Sequence, residues 1–240
     1  MHKRIGILGG MSPESTVAYY EYITRTYTER YGDYGYPEVL IYSVSFQPYV
    51  DWPNEGRWDL VAQGLAGAAQ RLAAAGAEVL LIATNTMHIV FDQVQAAVDV
   101  PMISLLDAVA GAIQAEGIDT VGLLGTRFTM EQPFYRQALA GHGIDVLVPG
   151  TEDRDLVNRV IYDELVAGQI RAESRAAFLD VIGRLAARGA RGIVLGCTEI
   201  PLLVGQADAD RYGVRLFDTT TIHAEAALNY AIQESSAGRG

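Results

Sequence analysis

A chain of 240 residues, half of them apolar, is long enough to bury a substantial core as one large domain or as two lobes of roughly 100 residues each. Its formal net charge of −11 opposes binding to nucleic acid or an anionic membrane, and apolar runs such as Val79 to Ala83 fall far short of the roughly 18 to 20 residues that span a bilayer. The single cysteine, Cys197, makes no internal disulfide and suits a reducing cytoplasm, and the apolar stretch after Arg4 breaks at Gly6, Gly9 and Gly10, so neither a signal peptide nor a membrane segment is expected.

In chain order, short apolar strands alternate with amphipathic helical stretches. The predicted strands are Arg4 to Leu8, Val39 to Ser43, Val79 to Ala83, Met102 to Leu105, Thr120 to Leu124, Val146 to Val148, Gly192 to Gly196 and Val214 to Phe217. Between them, Phe178, Val181, Ile182 and Leu185 follow the i, i+3, i+4, i+7 spacing of a buried helix face, and Leu60, Leu65 and Leu72 mark the corresponding stretch before Gly76. Gly76 and Gly189 follow these helices as C-terminal caps do. The alternation predicts an α/β fold with mostly parallel sheets flanked by helices. The tail Ser235 to Gly240 is small and polar and is expected to fray.

The chain repeats itself. Arg71 to Thr86, RLAAAGAEVLLIATNT, returns in altered form at Arg184 to Glu199, RLAARGARGIVLGCTE, without a gap. Ile5 to Gly9 likewise resembles Val121 to Gly125, and Pro101 to Ser104 resembles Arg215 to Asp218. This is a duplicated α/β unit rather than a solenoid. Two pseudosymmetric lobes are expected, residues 1–100 with 212–240 and residues 101–211, with the last strand and helix returning to the first lobe and the active site in the cleft between them.

Ligands of open parallel sheets bind beyond the carboxyl ends of the strands, which directs attention to four turns: Gly9 to Thr16, Thr84 to His88, Gly125 to Thr129 and Gly196 to Ile200. The duplication sets Thr84 opposite Cys197, two small nucleophilic side chains suited to proton transfer on a small substrate. Cys197 is either a small buried apolar residue or a reactive thiol; a helix N-terminus behind it would favour the thiolate. Thr84 taken alone, like Ser12 and Ser15, is also a candidate helix cap. His88, one turn after Thr84, either relays a proton, orients a group or serves the structure. Gly6, Gly9 and Gly10 do not fit a dinucleotide fingerprint, and no metal-ligand spacing or nucleophile elbow occurs.

GILGGMSPEST, TNTMH, GTRFTMEQPFY and GCTEIPLL together resemble the aspartate/glutamate racemase family of cofactor-independent amino-acid racemases, over nearly the whole chain. The resemblance implies a homodimer using no cofactor and no metal, with an acidic amino acid, L-glutamate or L-aspartate, as its small-molecule partner. It further implies two-base inversion at Cα, with catalytic residues Cys197 and Thr84. Cys197 matches the second cysteine of the family pattern, and Thr84 stands where most members carry the first. By the same match Asn85, Thr86, Thr198 and Thr129 bind the α-carboxylate, while Met11 and Gln47 face the substrate side chain. Gln47 and Val166 stand where some aspartate racemases hold a distal carboxylate with basic residues. A decarboxylase or cis-trans isomerase of a small dicarboxylate, or a non-catalytic module that binds an acidic metabolite, are the alternatives.

Overall fold

The computed structural model describes residues 2–233, and the tail expectation for Ser235 to Gly240 lies outside them. The elements run β1 (Ile5–Gly9), α1 (Pro13–Tyr31), β2 (Val39–Ser43), α2 (Phe46–Asn54), α3 (Trp58–Ala74), β3 (Val79–Ile82), a 3-10 turn (Thr86–Val90), α4 (Phe91–Gln95), β4 (Met102–Ile103) and α5 (Leu105–Ala115). There follow β5 (Thr120–Gly125), α6 (Arg127–Glu131), α7 (Pro133–Gly141), β6 (Asp145–Leu147), α8 (Thr151–Val160), a π-helical turn (Ile161–Leu165), α9 (Ala172–Ala187), β7 (Gly192–Gly196), α10 (Ile200–Leu203), α11 (Gln206–Ala209), a 3-10 turn (Asp210–Tyr212), β8 (Arg215–Asp218) and α12 (Thr219–Ile232).

Two four-stranded sheets, ordered β2-β1-β3-β4 and β6-β5-β7-β8, have the same topology, and all their pairings are parallel. The inner strands β1, β3, β5 and β7 are apolar runs, buried almost without a break, as strands covered by helices on both faces must be. The chain divides into two compact units. One runs to Leu105 and resumes at His223; the other is Leu106–Ile222.

The repeat governs where strands end. After α3, Gly76 takes a left-handed φ of 98°, its N–H bonds to Ala73 O at 3.0 Å, and the N–H of Ala77 bonds to Leu72 O at 3.0 Å. After α9, Gly189 at φ 103° bonds to Ala186 O at 2.9 Å, and Ala190 N–H bonds to Leu185 O at 3.1 Å. Both are Schellman caps, which glycine closes without a Cβ penalty. Each cap delivers the chain into its central sheet position, so Ile5 pairs with Val79 and Val121 with Gly192.

A second device is also duplicated. A Cβ on Gly6 would lie 2.5 Å from Leu80 Cδ2 and 3.4 Å from Leu72 Cβ, and one on Gly122 would lie 2.7 Å from Ile193 Cδ1 and 3.3 Å from Leu185 Cβ. Bare backbone at these two points lets α3 and α9 press closely on their sheets, and Leu72 and Leu185 are paired positions of the repeat.

Two strand placements differ from the sequence expectation. β4 pairs with β3 in the first sheet, and β8 pairs with β7 in the second. Neither lobe therefore changes at residue 100 or 212. The repeat itself, with Pro101 to Ser104 matching Arg215 to Asp218, was the better guide, since each copy ends with its own edge strand. Only the rest of α12, from His223, returns to the first unit. No helix among the described residues is long and apolar enough to cross a membrane.

Candidate active site

In the first unit the turns after β1 and β3 are joined by hydrogen bonds. The Ser15 hydroxyl donates to Ala83 O at 2.6 Å, and Ala83 N–H donates to Leu8 O at 3.0 Å. Ser12 is the N-cap of α1, accepting from Ser15 N–H at 3.2 Å, with Pro13 opening the helix. Gly10 has φ 90°, and a Cβ there would meet the backbone O of Val44 at 2.5 Å, so only glycine fits this turn. The Met11 side chain is buried in the apolar cluster that holds Leu8, Tyr49 and Met87. That placement leaves its backbone, not its side chain, at the turn.

Thr84 stands two residues beyond β3 and is half-buried, with its N–H bonded to Ile82 O at 2.8 Å. Its hydroxyl forms no hydrogen bond with any described residue, so it is not a helix cap. Asn85, buried, opens the 3-10 turn, and Thr86 follows it half-buried. His88 accepts from Leu105 N–H through Nε2 at 3.1 Å and meets Thr84 O through Nδ1 at 2.9 Å. A carbonyl only accepts and an amide N–H only donates, so the ring is neutral with its proton on Nδ1. Directed at the backbone of Thr84, that proton is not in position to serve the hydroxyl. Gln47 lies exposed in the first turn of α2, where its amide donates to Asp51 Oδ1 at 2.9 Å.

In the second unit Cys197 follows β7 directly. Its thiol donates to Glu199 Oε2 at 3.0 Å, and the Thr198 hydroxyl donates to the same oxygen at 2.7 Å. Glu199 is buried. Burial pushes the Cys197 thiol well above its ordinary pKa, the Glu199 charge and hydrogen bond add to the rise, and the backbone N–H groups of Glu199 and Thr198 oppose it by less. The expected thiolate-stabilising helix is absent. α10 starts only at Ile200 and has four residues, too few aligned peptides to outweigh a neighbouring carboxylate.

Thr198 spends its hydroxyl proton on Glu199, which leaves its hydroxyl oxygen as an acceptor only. Thr129 is fully buried, bonded through its N–H and hydroxyl to Thr126, which caps α6. Its methyl group occupies the space beside Gly125 and Gly196. Val166 is exposed just past the π-helical turn. That turn carries Tyr162, whose phenol is raised above its ordinary pKa by desolvation first and then by Cys197 and Glu199. Glu199 was visible two residues after Cys197; Tyr162 gave no sequence signal.

The family model for Asp/Glu/Hydantoin racemase matches residues 8–227, which includes every residue of the turns described in this site. The chain belongs to the Asp/Glu/hydantoin racemase family. A Yersinia pestis crystal structure provisionally described as an Asp/Glu racemase is 47% identical, with a TM-score of 0.90 over 96% of this chain and 100% of that one. PH1733, an aspartate racemase homologue from Pyrococcus horikoshii OT3, is 39% identical, with a TM-score of 0.83 over 96% and 99% of the two chains. The broad specificity amino-acid racemase RacX of Bacillus subtilis (strain 168) is 30% identical over 146 residues, which span 60% of this chain and 63% of that protein, less than two-thirds of its length. Fold and family do not fix the reaction, which rests on this chain's own residues.

Proposed function

We propose that this protein is a cofactor-independent amino-acid racemase that inverts the Cα of acidic amino acids, L-glutamate or L-aspartate foremost, as a cytoplasmic homodimer. The observation that carries this reading is the Cys197 thiol hydrogen-bonded to the buried Glu199 carboxylate at the end of β7, with Thr84 at the equivalent place of the duplicated unit.

Glu199 takes the thiol proton. The Cys197 thiolate then takes the proton from Cα of the L-substrate, and the electron pair left on carbon delocalises into the α-carboxylate as an enediolate. Thr84 O–H delivers a proton to the opposite face, the resulting alkoxide takes a proton from water, and the hydroxide so formed takes the proton that Glu199 received, so every group returns to its starting state. The burial that disfavours the thiolate at rest makes it a stronger base once formed. Threonine is a poor base in the reverse direction, so D-to-L turnover is the slower one, compensated in KM because the enantiomers are equal in free energy.

The enediolate needs donors, each supplying about 3 to 4 kcal/mol when well placed. Asn85 and Thr86, next to Thr84, fill this role, while the backbone N–H groups of Thr198 and Glu199 serve the Cys197 sulfur. The distal carboxylate meets Gln47 rather than a cation, which makes aspartate and glutamate comparable substrates and admits polar side chains.

Incubation with L- and D-glutamate and aspartate in D2O tests this. The expected result is deuterium at Cα and interconversion of enantiomers; turnover only of a substituted malonate or maleate, or binding without exchange, would sink the reading. Thr84→Cys is expected to raise the D-to-L rate about 10-fold or more while changing stability little, since a thiol is both acid and base. Chiral chromatography of timed samples reads the outcome.

A further inference from the structure

The first unit buries two histidines that the proton-transfer scheme does not use. His223 is fully buried on α12; Tyr19 Oη lies 2.8 Å from its Nδ1, and its Nε2 lies 2.9 Å from Ile103 O. Because Ile103 O can only accept, Nε2 carries the proton and Tyr19 donates to Nδ1. The rings of His223 and His88 stand edge to face, 5.7 Å apart, and Phe91 stacks on His88 at 5.4 Å with planes 7° apart. His88 in turn joins Leu105 N–H to Thr84 O. Every polar atom of both rings is thus assigned, and their tautomers are opposite.

We propose that His88 is a positioning residue for Thr84: its Nδ1–H holds the Thr84 carbonyl, and so the direction of the Thr84 side chain, while Leu105 N–H and His223 hold the ring. The inference rests on Thr84 being the second acid. Leu105 opens α5, where backbone N–H groups lack partners within the helix. His88 therefore ties the turn to a helix end instead of to another loop. Protonating Nε2 would turn two N–H groups against each other, and it would place a cation against the face of a second buried imidazole. The ring is confined to the one form that can hold Thr84. Between Ile82 and Asn85 the Ala83 backbone is held by Ser15 and Leu8 and the Thr84 N–H by Ile82 O, while His88 holds the Thr84 carbonyl, and a displacement of about 1 Å at a reacting group can cost about 100-fold in rate.

His88→Gln and His88→Asn separate the two ends of the ring. Gln carries its amide to the Nε2 position and keeps an acceptor for Leu105 but loses the donor to Thr84; Asn places its amide N–H near Nδ1 and keeps the donor. Both are assayed in D2O for Cα deuteration and for enantiomer conversion, with thermal unfolding measured alongside. The expected result is that His88→Gln loses about 10- to 100-fold in conversion kcat with KM little changed, while deuterium still returns to the starting L-enantiomer. His88→Asn should recover most of the conversion.

Wild-type conversion in folded His88→Gln, or equal loss in both variants in step with their melting temperatures, overturns the positioning role and leaves the racemase reading intact. Absence of exchange in the wild-type protein removes both. Should either variant fail to fold, the ring 15N spectrum of the wild-type protein decides: a protonated Nδ1 and a bare Nε2 at His88 at pH 7 support the assignment, and the reverse tautomer or an imidazolium overturns it.

Discussion

Replacing Cys197 by alanine is expected to reduce Cα exchange from the L-enantiomer by at least about 10³-fold, in the middle of the range that one positioned acid–base group supplies. The more telling variant is Glu199→Gln, in which two properties of the same thiol move in opposite directions. Glu199 raises the thiol pKa through its charge and its hydrogen bond, after the larger contribution of burial. Glutamine removes the charge, so the pKa falls toward the ordinary cysteine range and alkylation by iodoacetamide at pH 8 becomes faster. The same substitution removes the group that receives the thiol proton, so Cα exchange slows by about 100-fold. Faster alkylation together with faster exchange would mean that Glu199 only suppresses the thiolate and has no part in proton transfer.

Acidification is expected to destabilise the protein through His223. Burial, and then the neighbouring His88, lower its pKa from 6.5 to about 3, with the hydrogen bond to Ile103 O opposing. Below pH 6.5 the unfolded chain protonates this histidine while the native protein does not. Unfolding then takes up a proton, and stability falls as pH falls. The loss is about 2 kcal/mol at pH 5 and on the order of 5 kcal/mol below pH 3, where both states are protonated and the effect levels off. Above pH 6.5 the full stability is present. Urea unfolding from pH 7.5 to 4.5 measures it, with His223→Gln as the reference that lacks the titrating ring. A stability gap between the two proteins that stays constant over this range would contradict the assignment. Histidine proton resonances give an independent check, since the His223 ring should remain neutral at pH 4.5.

The α/β character and all eight strands were legible in the sequence because parallel strands buried on both faces are short and apolar, as VLLI and GIVLG are, and the helices before these two end on Gly76 and Gly189. The duplication was legible too, and it set Thr84 against Cys197 in the alignment of the two copies without any knowledge of packing. What escaped was set by contacts distant in sequence or by backbone that hydropathy does not describe. Cys197 was expected at a helix N-terminus, yet the chain makes only a short turn before α10, and the Glu199 side chain folds back onto the thiol. Tyr162 reaches the same neighbourhood from a π-helical turn, which no hydropathy pattern marks. The structural side of His88 was foreseen, but its partner Leu105 lies 17 residues away and is an apolar residue contributing only its backbone.

The glycines at Gly6 and Gly122 bear on how such a chain changes over generations. Each is pressed by the same pair of repeat positions, Leu72 with Leu80 and Leu185 with Ile193. A saturation screen for folded protein should therefore trace one tolerance profile twice, with intolerance at Gly6, Leu72 and Gly76 echoed at Gly122, Leu185 and Gly189. A screen for turnover should break that echo where Thr84 aligns with Cys197 and Thr86 with Glu199 in the repeat. Such a chain carries its own internal control: architecture is what the halves still share, and chemistry is where they have parted.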